Sequence, residues 1–333
     1  MTTKVYITRK FPDEALAKIR EHCHVRIWDE EDIPVPREVL MQEVADADGL
    51  LCMLTEQVDE AVLASAPRLR VVSNLAVGYN NINVAAATSL GIAVTNTPGV
   101  LTETTADLAF ALLLATSRRL VEASDYLRAG KWKAWSPMQM TGQDVYGATL
   151  GIIGMGRIGE AVARRALGFG MKVLYFNRSR KLDSEREYGV TYCELSTLLT
   201  ESDFVVTLTP HTPETANLID REQLALMKST AVLINPGRGG IVNEAALYEA
   251  LAGGQIWAAG LDVFEHEPVS PDHPLLTLPN VVALPHIGSA SVQTRKKMAM
   301  MAAQNVILGV TGRMPNELVN PEVEAAFLAR WSV

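Results

Sequence analysis

The sequence predicts an α/β protein of two parallel-sheet domains, one inserted into the other, and three observations carry that reading. Short apolar runs alternate with amphipathic helical patterns along most of the chain. A glycine-rich turn, Gly154-Met155-Gly156-Arg157-Ile158-Gly159, follows one apolar run and opens a helical pattern. Two further helical patterns, from about Thr102 to Leu120 and from about Ser291 to Val310, flank the second series of strands and read as connectors. At 333 residues the chain is too long for one compact core and comfortable for two.

In the first series the spans Val5–Thr8, His24–Trp28, Gly49–Met53, Val71–Leu75 and Ala93–Asn96 read as strands. Amphipathic segments near Pro12–Glu21, Pro36–Ala45, Glu60–Ala64 and Val84–Leu90 separate them, with Gly91 placed as a helix C-cap. The second series has strands at Thr149–Ile153, Lys172–Phe176, Phe204–Leu208, Ala231–Asn235, Trp257–Leu261 and Val281–Leu284. Helices fall at Arg157–Phe169, Leu195–Glu201, Arg221–Lys228 and Glu244–Ala252. Six strands separated by helices match a doubly wound fold. In the first connector Thr102 reads as the N-cap, with Glu103 in the first turn. The expected boundaries are residues 1–101 and 288–333 for the outer domain and 102–287 for the inserted one.

Apolar residues make up 48 % and charged residues 20 %, an ordinary globular balance that argues against disorder. A net charge of −8 argues against a nucleic-acid partner, which calls for a basic surface. An acidic chain that binds anions must build local positive sites, so arginines in glycine-rich settings are informative. Cys23, Cys52 and Cys193 lie far apart without paired spacing, which fits a reduced protein without disulfides or a zinc site. The chain runs from Lys4 straight into Val5-Tyr6-Ile7, leaving no room for a signal peptide. The most apolar stretch, Leu108 to Ala115, is far short of the ~20 residues that cross a bilayer. A soluble cytoplasmic protein with no membrane partner and no metal is expected.

The turn Gly154–Gly159 satisfies GxGxxG in the strand–turn–helix context that gives the motif meaning. The first glycine permits the tight turn, the second lets a pyrophosphate approach the backbone, and the third packs helix against strand. The helix N-terminus at Arg157 and Ile158 would then receive phosphates. The next strand ends in Phe176-Asn177-Arg178-Ser179-Arg180. A NAD-selective protein usually ends this strand with an acid that bonds the ribose hydroxyls; Asn177 stands there instead and cannot repel a 2′-phosphate. Arg178, Ser179 and Arg180 offer charge and donors for one, so NADP(H) is expected over NAD(H).

Of six histidines, His286 lies just past an apolar strand, at the edge where open α/β sheets bind ligands. His211 and His273 sit in proline-rich loops and read as solvated. Arg238 follows the strand ending at Asn235, and Glu267 follows the strand ending at Leu261. If these strands are parallel, Arg238, Glu267 and His286 converge on one crevice. Reducing a 2-keto acid needs a guanidinium for the carboxylate, a proton donor for the carbonyl oxygen and a carboxylate to sustain that donor. This trio supplies each part.

These residues resemble the D-isomer-specific 2-hydroxyacid dehydrogenases, from about residue 5 to residue 320. The segments Gly154–Gly159, Asn235–Gly239, Leu261–Pro268 and Pro285–Ser289 carry the likeness, in order and at suitable separations. Val77-Gly78-Tyr79-Asn80-Asn81-Ile82 and Asn96-Thr97-Pro98-Gly99 look most like the glyoxylate/hydroxypyruvate reductase branch. The resemblance implies two Rossmann-like domains: a doubly wound dinucleotide-binding domain inserted into a flavodoxin-like substrate-binding domain. It implies that Arg238 grips the carboxylate, His286 is the acid–base and Glu267 its partner. Backbone N–H groups of Val77 and Gly78 would hold the carboxylate, and Thr105, Thr209, Pro210, Pro236, Gly237, Asp262 and Gly288 would line the cofactor. Asn177 departs from the family's usual acid. Trp132 and Trp135 resemble the region through which family dimers reach a neighbouring active site, with plain packing as the alternative, and a homodimer is expected.

The expected activity is NADPH-preferring reduction of glyoxylate and hydroxypyruvate to glycolate and D-glycerate. The alternatives are dehydrogenases of D-lactate, 2-ketogluconate or 3-phosphoglycerate. The last is disfavoured because the chain ends near Val333 without the C-terminal regulatory domain found in many such enzymes. A further alternative, an NAD(H)-sensing corepressor-like protein, is disfavoured by the intact trio and the lack of a disordered tail or basic region.

Overall fold

The computed structural model describes residues 3–331. Ser332 and Val333, where the expected 288–333 segment ends, lie outside the described residues, as do Met1 and Thr2. The chain divides into two compact units, Met1–Leu101 with Ser291–Val333 and Thr102–Ala290.

The first unit is built on five parallel strands: β1 (Lys4–Ile7), β2 (His24–Ile27), β3 (Gly49–Cys52), β4 (Val71–Asn74) and β5 (Ala93–Thr95). Their order in the sheet is β2-β1-β3-β4-β5, so the winding reverses between β1 and β3, as in flavodoxin-like sheets. Burial on both faces explains the unbroken apolar runs. Val5 and Ile7 enter one core cluster while Tyr6 enters the other, and Val71 and Val72 divide in the same way. The long helix Val292–Val310 brings the chain back to this sheet. Ser291 caps it through its side chain on Thr294 N, and Ser73 Oγ donates to Ala302 O at 3.0 Å.

The second unit holds β6 (Thr149–Ile153), β7 (Lys172–Phe176), β8 (Thr191–Tyr192), β9 (Phe204–Thr207), β10 (Val232–Asn235), β11 (Ala258–Leu261) and β12 (Val281–Ala283). All are parallel, in the order β12-β11-β10-β9-β6-β7-β8. This is the doubly wound topology the sequence predicts, with its switch point between β6 and β9. The seventh strand, β8, has two residues, too few to show a hydrophobic period.

Two expectations about the first connector are corrected. Its helix runs Thr102–Ser117, so Thr102 is its first residue and not the N-cap. It stops before Leu120 because Gln143 N takes the Ser117 carbonyl at 2.9 Å and Arg119 turns left-handed at φ 52°. A separate helix, Leu120–Arg128, then begins, with Arg119 bonded twice to Glu122. None of its residues is buried, which is why its pattern marks no core face. Gly91 lies one residue past the C-cap Leu90, in the left-handed region at φ 67°. Among the described residues no helix is long and apolar enough to cross a membrane, and no group of three His, Cys, Asp or Glu could hold a metal ion.

Candidate active site

The glycine turn lies at the switch point of the second unit. Gly154, at φ 104°, follows β6, and a Cβ there would come within 2.8 Å of Leu208 C and Thr209 N at the end of β9. A Cβ on Gly159 would lie 2.5 Å from Gly154 O, so the helix Arg157–Gly168 packs closely on the turn. Gly156 faces open space, with nothing within 4 Å of its Cβ position. It is the N-cap of that helix, and no side chain caps the first-turn N–H groups. Thr209 Oγ1, across the switch point, is buried without a hydrogen-bond partner. Backbone donors, an open approach and an unused hydroxyl fit the pyrophosphate of a dinucleotide.

Past β7 the four polar residues differ in their commitments. Asn177 Nδ2 donates to Ser179 O at 3.1 Å, closing the turn. Arg180 is bonded by Nε and a terminal nitrogen to Glu185, which also accepts from Tyr175 Oη. Arg178 is exposed and has no ion-pair partner among the described residues. The two arginines are therefore not equivalent donors for a phosphate.

Three turns at the C-terminal edge of neighbouring strands carry the candidate acid–base machinery. After β10, the buried Asn235 shapes the turn: Nδ2 donates to Arg238 O at 2.9 Å, and Oδ1 accepts from Thr207 Oγ1 and Gly237 N. Arg238 donates to Gly237 O at 2.8 Å and pairs with no carboxylate among the described residues. Burial pulls the Arg238 guanidinium below its ordinary value, while the charge of Glu267 holds it up. Pro236 is buried behind this turn, and Pro210, after β9, is exposed and accepts from Thr215 Oγ1.

After β11, Glu267 uses both oxygens: Oε1 accepts from Phe264 N at 3.0 Å, and Oε2 lies 2.7 Å from His286 Nδ1. Burial raises the Glu267 carboxyl, but the His286 bond and charge, the Phe264 N–H and Arg238 together bring it below the ordinary range. After β12, His286 adopts φ 54°, a left-handed conformation that costs a side-chain-bearing residue about 1–2 kcal/mol. Asp262 stabilises it. Its carbonyl accepts from His286 N, and its fully buried carboxylate accepts from Ile287 N at 2.8 Å and Gly288 N at 2.7 Å. Burial raises the Asp262 carboxyl against those two bonds. Thr105 lies beside Gly288, its Cγ2 3.5 Å from where a Cβ would stand.

The reading of His273 as solvated is corrected. Its Nε2 lies 3.0 Å from Glu244 Oε2, and its ring packs edge-on against Phe264. Glu244 and Glu265 also exchange bonds from backbone N to carboxylate, bracing the turn that carries Glu267. Burial raises the Glu244 carboxyl. Glu244 lies far from this turn in sequence, and no local spacing signals the contact. His211 is exposed, as expected.

In the first unit, Val77 and Gly78 are half-buried in the loop after β4. Their N–H groups meet no acceptor among the described residues. Trp132 and Trp135, in the second unit, are 55 % and 78 % exposed, too open to belong to the core of this chain.

A doubly wound sheet with this turn at its switch point is the fold of nicotinamide-dinucleotide-dependent oxidoreductases. Residues 110–288 match the sequence profile of the D-isomer specific 2-hydroxyacid dehydrogenase NAD binding domain. The chain is 55 % identical over 324 residues, 97 % of each chain, to a glyoxylate reductase of Korarchaeum cryptofilum. A crystal structure of a Thermus thermophilus protein superimposes with a TM-score of 0.89 at 44 % identity, covering 95 % of this chain and 100 % of that one. An NADPH-dependent glyoxylate/hydroxypyruvate reductase from Sinorhizobium meliloti, in complex with NADP and malonate, gives 0.84 at 34 % identity over 96 % and 97 % of the two chains. The chain belongs to the D-isomer-specific 2-hydroxyacid dehydrogenase family.

Proposed function

We propose that this chain reduces glyoxylate, and hydroxypyruvate beside it, to glycolate and D-glycerate, with NADPH preferred to NADH. The observation that carries the reading is the 2.7 Å pair of His286 Nδ1 and Glu267 at the strand edge where Arg238 stands without a carboxylate. The bound nicotinamide supplies the hydride. Arg238 takes the substrate carboxylate with its planar fork and polarises the keto oxygen. In the first unit, Val77 and Gly78 N–H groups are donors suited to a carboxylate. Glu267 keeps the Nδ1 proton of His286 engaged, so the transferable proton sits on Nε2 and passes to the carbonyl oxygen. Carbonyl, hydride and proton together give the hydroxyl.

Gly154, Gly156, Arg157, Ile158 and Gly159 would hold the pyrophosphate, and Thr105, Thr209, Pro210, Pro236, Gly237, Asp262 and Gly288 the rest of the cofactor. The NADPH preference is supported by the neutral Asn177 and by the uncommitted Arg178, with Ser179 in the same turn. The names of the relatives, glyoxylate reductase and NADPH-dependent glyoxylate/hydroxypyruvate reductase, support the substrate and cofactor. A cytoplasmic homodimer is part of the proposal. Leu120, Leu127, Trp132, Trp135, Met138 and Tyr146 leave an apolar surface along one stretch of chain, each more than half exposed.

Absorbance at 340 nm, followed with both cofactors against glyoxylate, hydroxypyruvate, pyruvate, 2-ketogluconate and 3-phosphohydroxypyruvate, tests the reading. Glyoxylate with NADPH is expected to give the highest kcat/KM. A higher value for another acid, or for NADH, replaces that part of the proposal. Sedimentation of the wild type and of Trp135→Asp tests the dimer.

A further inference from the structure

The loop after β4 has an ordered arrangement that side-chain chemistry alone does not reveal. Three consecutive carbonyls are each held by a donor from outside the loop. Ala76 O accepts from Thr97 N at 2.7 Å, Val77 O from Asn96 Nδ2 at 2.7 Å, and Gly78 O from Asn74 Nδ2 at 2.8 Å. In a trans peptide the carbonyl and the next residue's N–H point to opposite edges of one plane. Fixing Ala76 O therefore directs Val77 N–H away from Thr97. Fixing Val77 O directs Gly78 N–H away from Asn96, and fixing Gly78 O does the same for Tyr79. None of these three N–H groups meets an acceptor among the described residues. Backbone donors left unpaired in a half-buried loop are uncommon, and successive ones in a turn form a concavity for an anion.

The clamping residues are themselves held. Asn96 N donates to Glu317 O at 3.3 Å, and Asn96 O accepts from Asn305 Nδ2. Asn74 is fully buried and donates to Asn81 Oδ1 at 3.2 Å, while Asn81 Nδ2 donates to Met53 O and Glu56 O. Asparagine suits these positions because its amide donates to a carbonyl without bringing a charge into the loop.

We infer that Asn96, seconded by Asn74, is a positioning residue for carboxylate recognition: it holds the Val77 carbonyl so that Gly78 N–H stays free for the anionic end of the substrate. The inference rests on the reading of Val77 and Gly78 as carboxylate donors. It adds a specificity function to the side chain of Asn96, which touches no substrate in this account. Without the clamp the peptide rotates, the donor is lost and discrimination for a charged acid falls.

Full-length wild type, Asn96→Ala and Asn96→Asp, each with saturating NADPH, test this with glyoxylate and its neutral amide, glyoxylamide. In Asn96→Ala, kcat/KM for glyoxylate is expected to fall about 10- to 100-fold, mainly through KM, with the amide changing by less than about twofold. Damage to the fold alone would lower both substrates together. Asn96→Asp is isosteric and keeps the packing, but when ionised it repels the Val77 carbonyl. Its glyoxylate-to-amide ratio is expected to recover as the pH is lowered and the carboxyl becomes a donor, whereas the wild-type ratio stays flat. Equal losses for both substrates, or an unchanged ratio in both variants, overturn the inference. If the wild type reduces no 2-keto acid, the functional reading fails by itself. Calorimetric titration of oxamate into the NADPH-saturated proteins then decides the clamp: weaker binding by Asn96→Ala upholds it, and equal binding overturns it.

Discussion

The loop after β4 and the turns after β10, β11 and β12 both stand at the C-terminal edge of a parallel sheet, yet they offer a ligand different things. In the second unit the groups on offer are side chains: a guanidinium, an imidazole and a carboxylate, each seated by a buried polar residue. Asn235 shapes the Arg238 turn, and Asp262 holds His286 in its left-handed conformation. In the first unit the donors are peptide N–H groups, and the seating falls to Asn74, Asn96 and the backbone of Thr97. The difference teaches where charge is needed. Proton transfer requires groups that change protonation state. Fixed dipoles can supplement a guanidinium in holding a carboxylate, and they keep their orientation at any pH.

The largest effect that would break this division is at His286. His286→Ala is expected to lower kcat by about 10²- to 10⁴-fold while NADPH still binds, read by stopped-flow absorbance and calorimetry. Residual activity near wild type would move the proton donor elsewhere. Arg238→Lys comes next. A lysine cannot reproduce the planar fork, so KM for glyoxylate is expected to rise and kcat to fall, together about 10- to 150-fold in kcat/KM. An effect on KM alone would make Arg238 an anchor like the backbone donors of the first unit.

Smaller effects sharpen the comparison within the cofactor site. Arg178→Ala is expected to weaken NADPH binding by about 10-fold or more and NADH binding much less. Arg180→Ala is expected to do less, because Arg180 is already bonded to Glu185. Calorimetry with both cofactors checks it, and equal losses for NADPH and NADH would show that the arginines serve the turn and not the phosphate. The glycines separate folding from binding. Gly154→Ala puts a Cβ 2.8 Å from two backbone atoms at φ 104°, so the melting temperature is expected to drop. Gly156→Val enters open space at an ordinary backbone conformation, so melting is expected to hold while cofactor affinity falls.

Much of the second unit was legible in the sequence because its signals are local. Strand, glycine turn and helix follow one another within Thr149–Gly168, and β6 and β7 have the bounds expected of them. Arg238, Glu267 and His286 could be placed at one sheet edge because each follows an apolar run. Their seating was not legible in the same way. The contacts of Asp262 with Ile287 and Gly288, and of Glu244 with His273, join residues more than twenty positions apart. The helix Leu120–Arg128 escaped because it buries nothing, and β8 because two residues carry no period. In the first unit Val77-Gly78 carries no side-chain signal, because a backbone donor has no residue type; in the sequence only the family resemblance pointed to it, and the three held carbonyls are visible in the structure alone.

The pH dependence of kcat/KM for glyoxylate shows whether the proton leaves an imidazole sustained by the Glu267 carboxylate, as proposed. Glu267 lies below its ordinary value of 4.5. Stabilisation through its ionised form is complete above that value and is lost only as the pH falls through the lowered folded one, so assays from about pH 6 to 9 leave it charged. Glu267→Gln keeps the shape and a hydrogen bond but removes the charge that favours the protonated imidazole. The high-pH limb of the profile is expected to move to lower pH in Glu267→Gln, with NADPH affinity unchanged. A limb at the same pH in both proteins would contradict it.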